Sequence, residues 1–477
     1  MTELQCLHNG ATNERARRLI LSDPHTRPGQ IRSGDSRGGR WDVRHLGFLA
    51  LETRTGCPSG SWFRFATGVT APLTAALLSA PSMASEPSDT PALAVAVRET
   101  ADVWDVASGD DPGLTILNKL QVSATVDGGR FGFDGWTAHA QIFRFDGQPL
   151  SARMDDIQTA DNLEALPMTR LFEAWIARQW GAKDRSASLR FGVIDLNSQF
   201  DSVDPASLFI NSSHGIGPDL SSSGRNGPSI YPVTSLGTTI TLVPSDRWTF
   251  RLGVFDGVAG DPARPRAFLA ERLGEHDGLL TIIQADYQLG VQARVEAGSW
   301  KYSASVPGLE GGRSHDEGAY ASIEAPLPLV PRMVGWLRAG LADSRAQAVA
   351  GYIGGGVVQT GTFANRPEDR LGFAVAHAII GAPAVKALGV SSAETSLEAT
   401  YQIKVSERFA LQPDIQYLLH PSGVAGARNS LGIGLRLVVT AGFPKKPQAN
   451  DPSDPTVPAD GAPTASPSDA QPAPAPE

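Results

Sequence analysis

Between about Leu93 and Phe443 the chain is built from segments of roughly ten residues in which apolar side chains alternate with polar or small ones. Gly, Asp, Asn and Pro punctuate them. A period of two belongs to a β-strand, because successive side chains leave opposite faces of the pleat. In 396–405 Leu397, Ala399, Tyr401, Ile403 and Val405 share one face, and Glu398, Thr400, Gln402 and Lys404 the other. The same division sets Leu411, Ile415 and Tyr417 against Gln412, Asp414 and Gln416, and Leu435 and Leu437 against Arg436. Upstream, Trp248, Phe250, Leu252 and Val254 oppose Arg251, and Val291, Ala293, Val295 and Ala297 oppose Gln292, Arg294 and Glu296.

A helical route through a membrane is closed to this sequence, since a spanning helix needs about 20 consecutive apolar residues. The longest apolar stretch, within 66–80, is shorter and contains Pro72. It is preceded by Arg64 and followed by Ser82-Met83-Ala84, the order of a secretory signal with a small-x-small cleavage site. We therefore expect residues 1–84 to be an over-long leader plus signal peptide, with a mature start near Ser85. Beyond Phe443 proline, alanine, serine and aspartate dominate, and such a composition cannot bury a core. Residues 444–477 are expected to be a disordered tail, leaving 85–443 as one all-β unit.

Alternation with charged residues in mid-strand suits a transmembrane antiparallel β-barrel, in which lipid-facing and lumen-facing side chains alternate. The segments number about 16, an even count as closure requires, although 341–358 and 379–392 are ambiguous. Tight turns are expected at Asp127-Gly128-Gly129, Pro244-Ser245-Asp246 and Leu289-Gly290. Aromatic residues near segment ends, Trp175, Trp180, Trp248, Trp300, Trp336 and Tyr417, are expected to form interfacial girdles.

Other function classes find little support. The formal net charge of −9 disfavours nucleic acid, whose phosphates demand excess Lys and Arg. Both cysteines, Cys6 and Cys57, precede the signal-like segment, so the mature chain would have neither a disulfide nor a thiol nucleophile. The nine histidines are scattered without metal-binding spacing, and no G-x-S-x-G or phosphate-loop motif occurs. No enzyme activity and no cofactor are expected.

Several stretches are similar to the carbohydrate-selective porins of the OprB type. They are DGGRFGFDGWTAHAQIFRFDG (127–147), TRLFEAWIARQW (169–180), LRFGVIDLNSQFD (189–201), PASLFINSSHGIGPDL (205–220) and LQPDIQYLLHPSG (411–423). The resemblance implies 16 antiparallel strands in the bacterial outer membrane, with a short helix or loop inserted toward the lumen. It further implies passive diffusion of monosaccharides and similar small hydrophilic solutes. The leader, the tail and 341–392 do not match the family pattern.

A diffusion channel needs polar side chains on its wall, able to pair with sugar hydroxyls. The candidates are Arg190, Asp195, Arg251, Arg294, Glu296, Glu398, Gln412, Asp414, Gln416 and Arg436. Asn211, Ser212, Ser213 and His214 either touch solute or cap a local turn. Expected partners are small sugars, outer-membrane lipid and lipopolysaccharide, and the barrel-assembly machinery, with a monomer and a trimer both open. Two other readings compete: a structural or export-associated barrel with a peptidoglycan-facing tail, and a secreted β-rich glycosidase.

Overall fold

The computed structural model describes residues 91–182 and 185–443. The leader and the tail beyond Phe443 lie outside the described residues. Sixteen strands close into one antiparallel barrel. The first half comprises β1 (Leu93–Ser108), β2 (Gly113–Asp127), β3 (Trp136–Gly147), β4 (Met168–Ala182), β5 (Arg185–Ile194), β6 (Ser235–Val243), β7 (Trp248–Asp256) and β8 (Leu279–Gly290). The second half comprises β9 (Ala293–Pro307), β10 (Arg313–Pro326), β11 (Met333–Ala342), β12 (Val349–Thr360), β13 (Arg370–Ile380), β14 (Ala393–Ser406), β15 (Phe409–Leu419) and β16 (Ser430–Phe443). Each strand pairs with its neighbour in sequence, and β1 closes on β16 from Val95↔Phe443 to Ser108↔Leu431. Closure leaves no edge strand, which a hydrocarbon environment would penalise.

The two rims differ. At the rim holding the start of β1 and the end of β16 the connections are short, as at 244–247, 291–292 and 407–408. At the other rim they include 148–167, 195–234 and 257–278. Short periplasmic turns and long outer loops are the usual asymmetry of such barrels.

Register decides which residues face lipid. Leu397, Ile415, Ile433 and Leu435 are 40–49% exposed, whereas Glu398, Gln412, Asp414, Gln416 and Arg436 between them are 8% exposed or less. An apolar face left open and a polar face buried is the inverse of a soluble sheet, and it places the polar face inside. The ambiguous stretch 379–392 resolves into the end of β13 and a helix at Ala382–Leu388. The stretch 341–358 resolves into the end of β11 and most of β12.

Three of the expected girdle residues point the other way. Trp300 and Trp336 are buried, and Trp175 is partly buried against the inner apolar cluster that includes Phe200, Trp300 and Tyr320. Their parity is that of Glu173, Glu296 and Arg338, all on the inner face. Trp180, Trp248 and Tyr417 face outward and are exposed.

Candidate channel

Segment 195–234 follows β5, and its polar and apolar residues engage strands around much of the barrel. Asp195 N donates to Glu173 on β4 (3.1 Å) and Asp201 N to Gln284 on β8 (2.9 Å). Asp204 N donates to Glu324 on β10 (3.0 Å). Ile210 N and Asn211 N both donate to Glu398 on β14 (2.5 and 3.0 Å), and Gln412 Nε2 on β15 donates to Leu208 O (2.7 Å). One segment can meet the same face of β4, β8, β10, β14 and β15 only from inside the barrel. The lumen insertion is thus made of two short 3₁₀ turns, Leu196–Ser198 and Asp204–Leu208, and two helical turns, Ser212–Gly215 and Pro218–Ser221.

Its local form follows from its capping residues. Asp195 accepts from Asn197 N (3.0 Å) and starts the first turn. Asn211 accepts from Ser213 N (3.0 Å) and starts the third. Asn211, Ser213 and His214 are buried, so the capping alternative describes Asn211. Between these turns Leu208 and Phe209 pack with Trp336, Val358 and Ala374 of the wall. Apolar anchors and backbone hydrogen bonds therefore hold the same turns.

The firmest anchor is ionic. Arg338 on β11, 3% exposed, donates from Nε and Nη2 to Asp201 (3.0 and 2.7 Å). It also meets Asp219 through Nη1 and, at 3.1 Å, through Nη2. Segment 148–167 is held likewise: Arg436 on β16 bonds Asp161 (3.0 Å) and Asn162 (2.8 Å) as well as Asp102 on β1 (2.7 Å). Trp104 on β1 also donates to Asp161 (2.8 Å), and the Cβ that Gly434 lacks would lie 2.6 Å from the Trp104 ring. Gln416 on β15 donates to Ala160 O (2.8 Å).

The ten sequence candidates thus fall into two sets. Glu398, Gln412, Asp414, Gln416 and Arg436 lie on the inner face but beneath the inserted segments, and Glu296 is buried beside Gln284 (3.2 Å). Arg190, Asp195, Arg251 and Arg294 stay partly exposed. The Arg190 guanidinium lies 3.9 Å from the centre of the Trp175 ring, whose other neighbour is His139 at 5.0 Å. Arg251 pairs with Asp286, and Arg294 with Glu324 at 3.2 Å. Sequence reasoning did not single out Arg338, Glu173, Gln284 or Glu324. Desolvation of the half-buried Asp195 carboxyl, helped by the Glu173 charge, pushes it up to about 8, and burial pulls the His214 imidazole down to about 3.

The family model of the carbohydrate-selective porins, OprB family, matches residues 111–440. The chain belongs to this family. It is an outer-membrane porin for sugar diffusion, and family and fold alike are those of non-enzymatic channels. Pseudomonas putida OprB at high pH superposes with a TM-score of 0.65 at 16% identity, covering 73% of this chain and 94% of that one. The low-pH structure of the same protein gives 0.47 at 14% identity, over 80% and 100%. The outer membrane channel DcaP of Acinetobacter baumannii gives 0.46 at 9%, over 73% and 96%. No curated protein sequence matches the chain. The export-associated and glycosidase readings receive no support from family or fold.

Proposed function

We propose that monosaccharides and similar small hydrophilic solutes pass, without energy coupling or catalysis, along the part of the inner wall that the insertions leave uncovered. Arg190 and Arg251 on that wall and Asp195 at the foot of the insertion meet solute there, and Arg294, fastened to Ser202 O of the insertion (2.7 Å), presents only the rest of its guanidinium. A guanidinium offers paired N–H donors to vicinal hydroxyls, and stacking on Trp175 fixes the plane of Arg190. Glu296, Glu398, Gln412, Asp414, Gln416 and Arg436 act on the passage indirectly, by holding the insertions in place. The observation that carries this division is the anchoring of Ile210 and Asn211 on Glu398, which packs the insertion against β14 and β15.

The remaining partners of this reading are lipopolysaccharide around the outer half of the barrel and the assembly machinery that inserts it. The mature chain would begin near Ser85, and the tail beyond Phe443 would be dispensable for pore formation. Single-channel conductance in planar bilayers, with and without added glucose, tests the reading. Open-channel current should fall as glucose rises, and Arg190→Gln should weaken that block. A sealed barrel, or a block unchanged by Arg190→Gln and Arg294→Gln together, would reject it.

A further inference from the structure

The outward wall of β8 to β11 is recessed. Ala285, Ala297, Ala321 and Ala339 occupy one register row across these four strands. The next outward row toward the periplasmic rim is bulky, with Tyr287, Val295, Ile323 and Leu337. The next row toward the outer rim sets Ser299 and Ala319 between Ile283 and Leu341. A wall that is small in the middle and large at its margins is a trough, and an open cavity of about 800 Å³ lies along its upper part. That is the size of a ligand site, and lipid-facing space left unfilled would forfeit dispersion contacts.

The cavity ends on charge. Thr281, Lys301 and Glu317 form the row above, and Asp343 N donates to Glu317 O (3.0 Å), which carries that row past the end of β11. Lys301 and Arg345 both line the cavity, with side chains 61% and 68% exposed. Higher still, the outward residues of β9 and β10 are Ser303, Ser305, His315 and Arg313. The Lys301 row therefore stands where the apolar belt gives way to headgroups. Lys301 pairs with Glu317, and Arg345 gives Nε (3.0 Å) and Nη2 (2.7 Å) to Asp343. Neither cation is exhausted by its carboxylate, since an ammonium carries three N–H donors and a guanidinium five.

We propose that this trough seats one molecule of the outer leaflet's phosphorylated, acylated glycolipid, lipopolysaccharide. A phosphate takes the remaining N–H groups of Lys301 and Arg345, while acyl chains lie over Ser299, Ala319 and the alanine row below. Glu317 and Asp343 hold the two cations at the mouth of the trough. An amphiphile with an anionic head and apolar chains matches both parts of the surface in the order in which they are stacked. A smaller outward cavity of about 340 Å³ beneath Leu273 lacks this match, because the charged group among the described residues that line it is the Asp256 carboxylate. The inference rests on the outer-membrane setting and narrows the lipopolysaccharide partnership proposed above to one face.

The test takes the full chain, extracted from outer membranes in mild detergent and stripped of lipid, and titrates it with bis-phosphorylated lipid A under native mass spectrometry. Wild type should hold one lipid A, and Lys301→Gln with Arg345→Gln should weaken binding at least about tenfold. Ser299→Leu with Ala319→Leu should weaken it comparably, by filling the trough while both cations remain. Arg144→Gln, which removes an exposed cation from the outward face of β3, should leave binding unchanged. Every variant should still migrate faster unboiled than boiled and conduct as wild type does, so a failure here leaves the porin assignment standing. Equal affinity for lipid A without its phosphates, or undiminished binding by the Lys301 and Arg345 double variant, would overturn the proposal. So would a disulfide-linked dimer from Ser299→Cys in native membranes, in a chain with Cys6→Ser and Cys57→Ser, because the trough would then be covered by a second copy.

Discussion

Two stretches of the same inner wall use the same residue types in opposite ways. On β11 to β16 several charged and amide side chains are covered and spent on the backbone or carboxylates of an inserted segment: Arg338 on Asp201 and Asp219, Glu398 on Ile210 and Asn211, Gln416 on Ala160. On β5 to β9, Arg190 and Arg251 keep part of their surface open, and Arg294, which donates to Ser202 O of the insertion (2.7 Å), combines both roles. An arginine on an inner wall is therefore a fastening, a contact for solute or both, and its own strand does not say which. What decides is whether a segment distant in sequence lies over it.

The largest effect should come from removing the best fastening. Arg338→Met leaves the buried carboxylates of Asp201 and Asp219 without their cation, and breaking a buried pair of this kind costs about 3–5 kcal/mol. The thermal midpoint should drop, and single channels should become larger and noisier as the insertion loosens. A variant with wild-type midpoint and quiet channels would show that the covered wall is not a fastening at all.

A somewhat smaller effect should appear with pH. His214 is buried in the insertion, with Nε2 3.4 Å from Glu398 and with Asp414 also close, yet burial outweighs the carboxylates and holds the imidazole down at about 3. Its ordinary value is near 6.5. The folded insertion thus binds a proton less readily than the loosened one, so the His214 contribution is flat above pH 6.5 and turns against the folded form as pH falls from 6.5 toward 3. Glu398 and Asp414 titrate beside it, so the informative measurement is a difference. Between pH 7.5 and pH 4 the wild-type midpoint should fall further than that of His214→Phe. Parallel pH curves for the two proteins would remove His214 from the account.

How much of this was legible in the sequence follows from the same contrast. Outward faces were readable because their environment is lipid throughout, so period two and apolar character coincide from Leu397 to Leu435. Inner faces were readable only as polar. The hydrogen bond between Ile210 and Glu398 joins residues 188 apart, and nothing local to SLEATYQIKV signals that its glutamate lies under a turn. Trp175, Trp300 and Trp336 were misassigned to the girdles because position along a strand was weighed above parity. Each stands two or four residues from an inner charged group, Glu173, Glu296 or Arg338, and parity alone would have turned them inward. The stretch 341–392 resisted because Gly354-Gly355-Gly356 interrupts the alternation inside β12 and because the connection after β13 contains a helix.

The contrast also makes a prediction on the open wall, where little stability should be at stake. Arg251 pairs with Asp286, but Asp286 also accepts from Gln284 Nε2 (2.9 Å) and has Arg294 within 3.9 Å. Arg251→Gln therefore does not strand a buried anion, and with its own side chain 21% exposed the loss should be within the 0–1 kcal/mol typical of accessible pairs. Its effect should fall on the permeating solute instead. One positive charge leaves the wall while Asp286 and Glu296 stay nearby, so reversal potentials in a salt gradient should move toward cations, and block by glucose should weaken. The thermal midpoint should stay within about a degree or two of wild type, given how little a few tenths of a kcal/mol moves a large domain. Measured beside Arg338→Met, this variant separates the two walls: selectivity changes in one and stability in the other. If Arg251→Gln lowered the midpoint as far as Arg338→Met does while leaving reversal potential and block untouched, the open wall would be one more fastening, and the solute path would have to lie elsewhere in the bore.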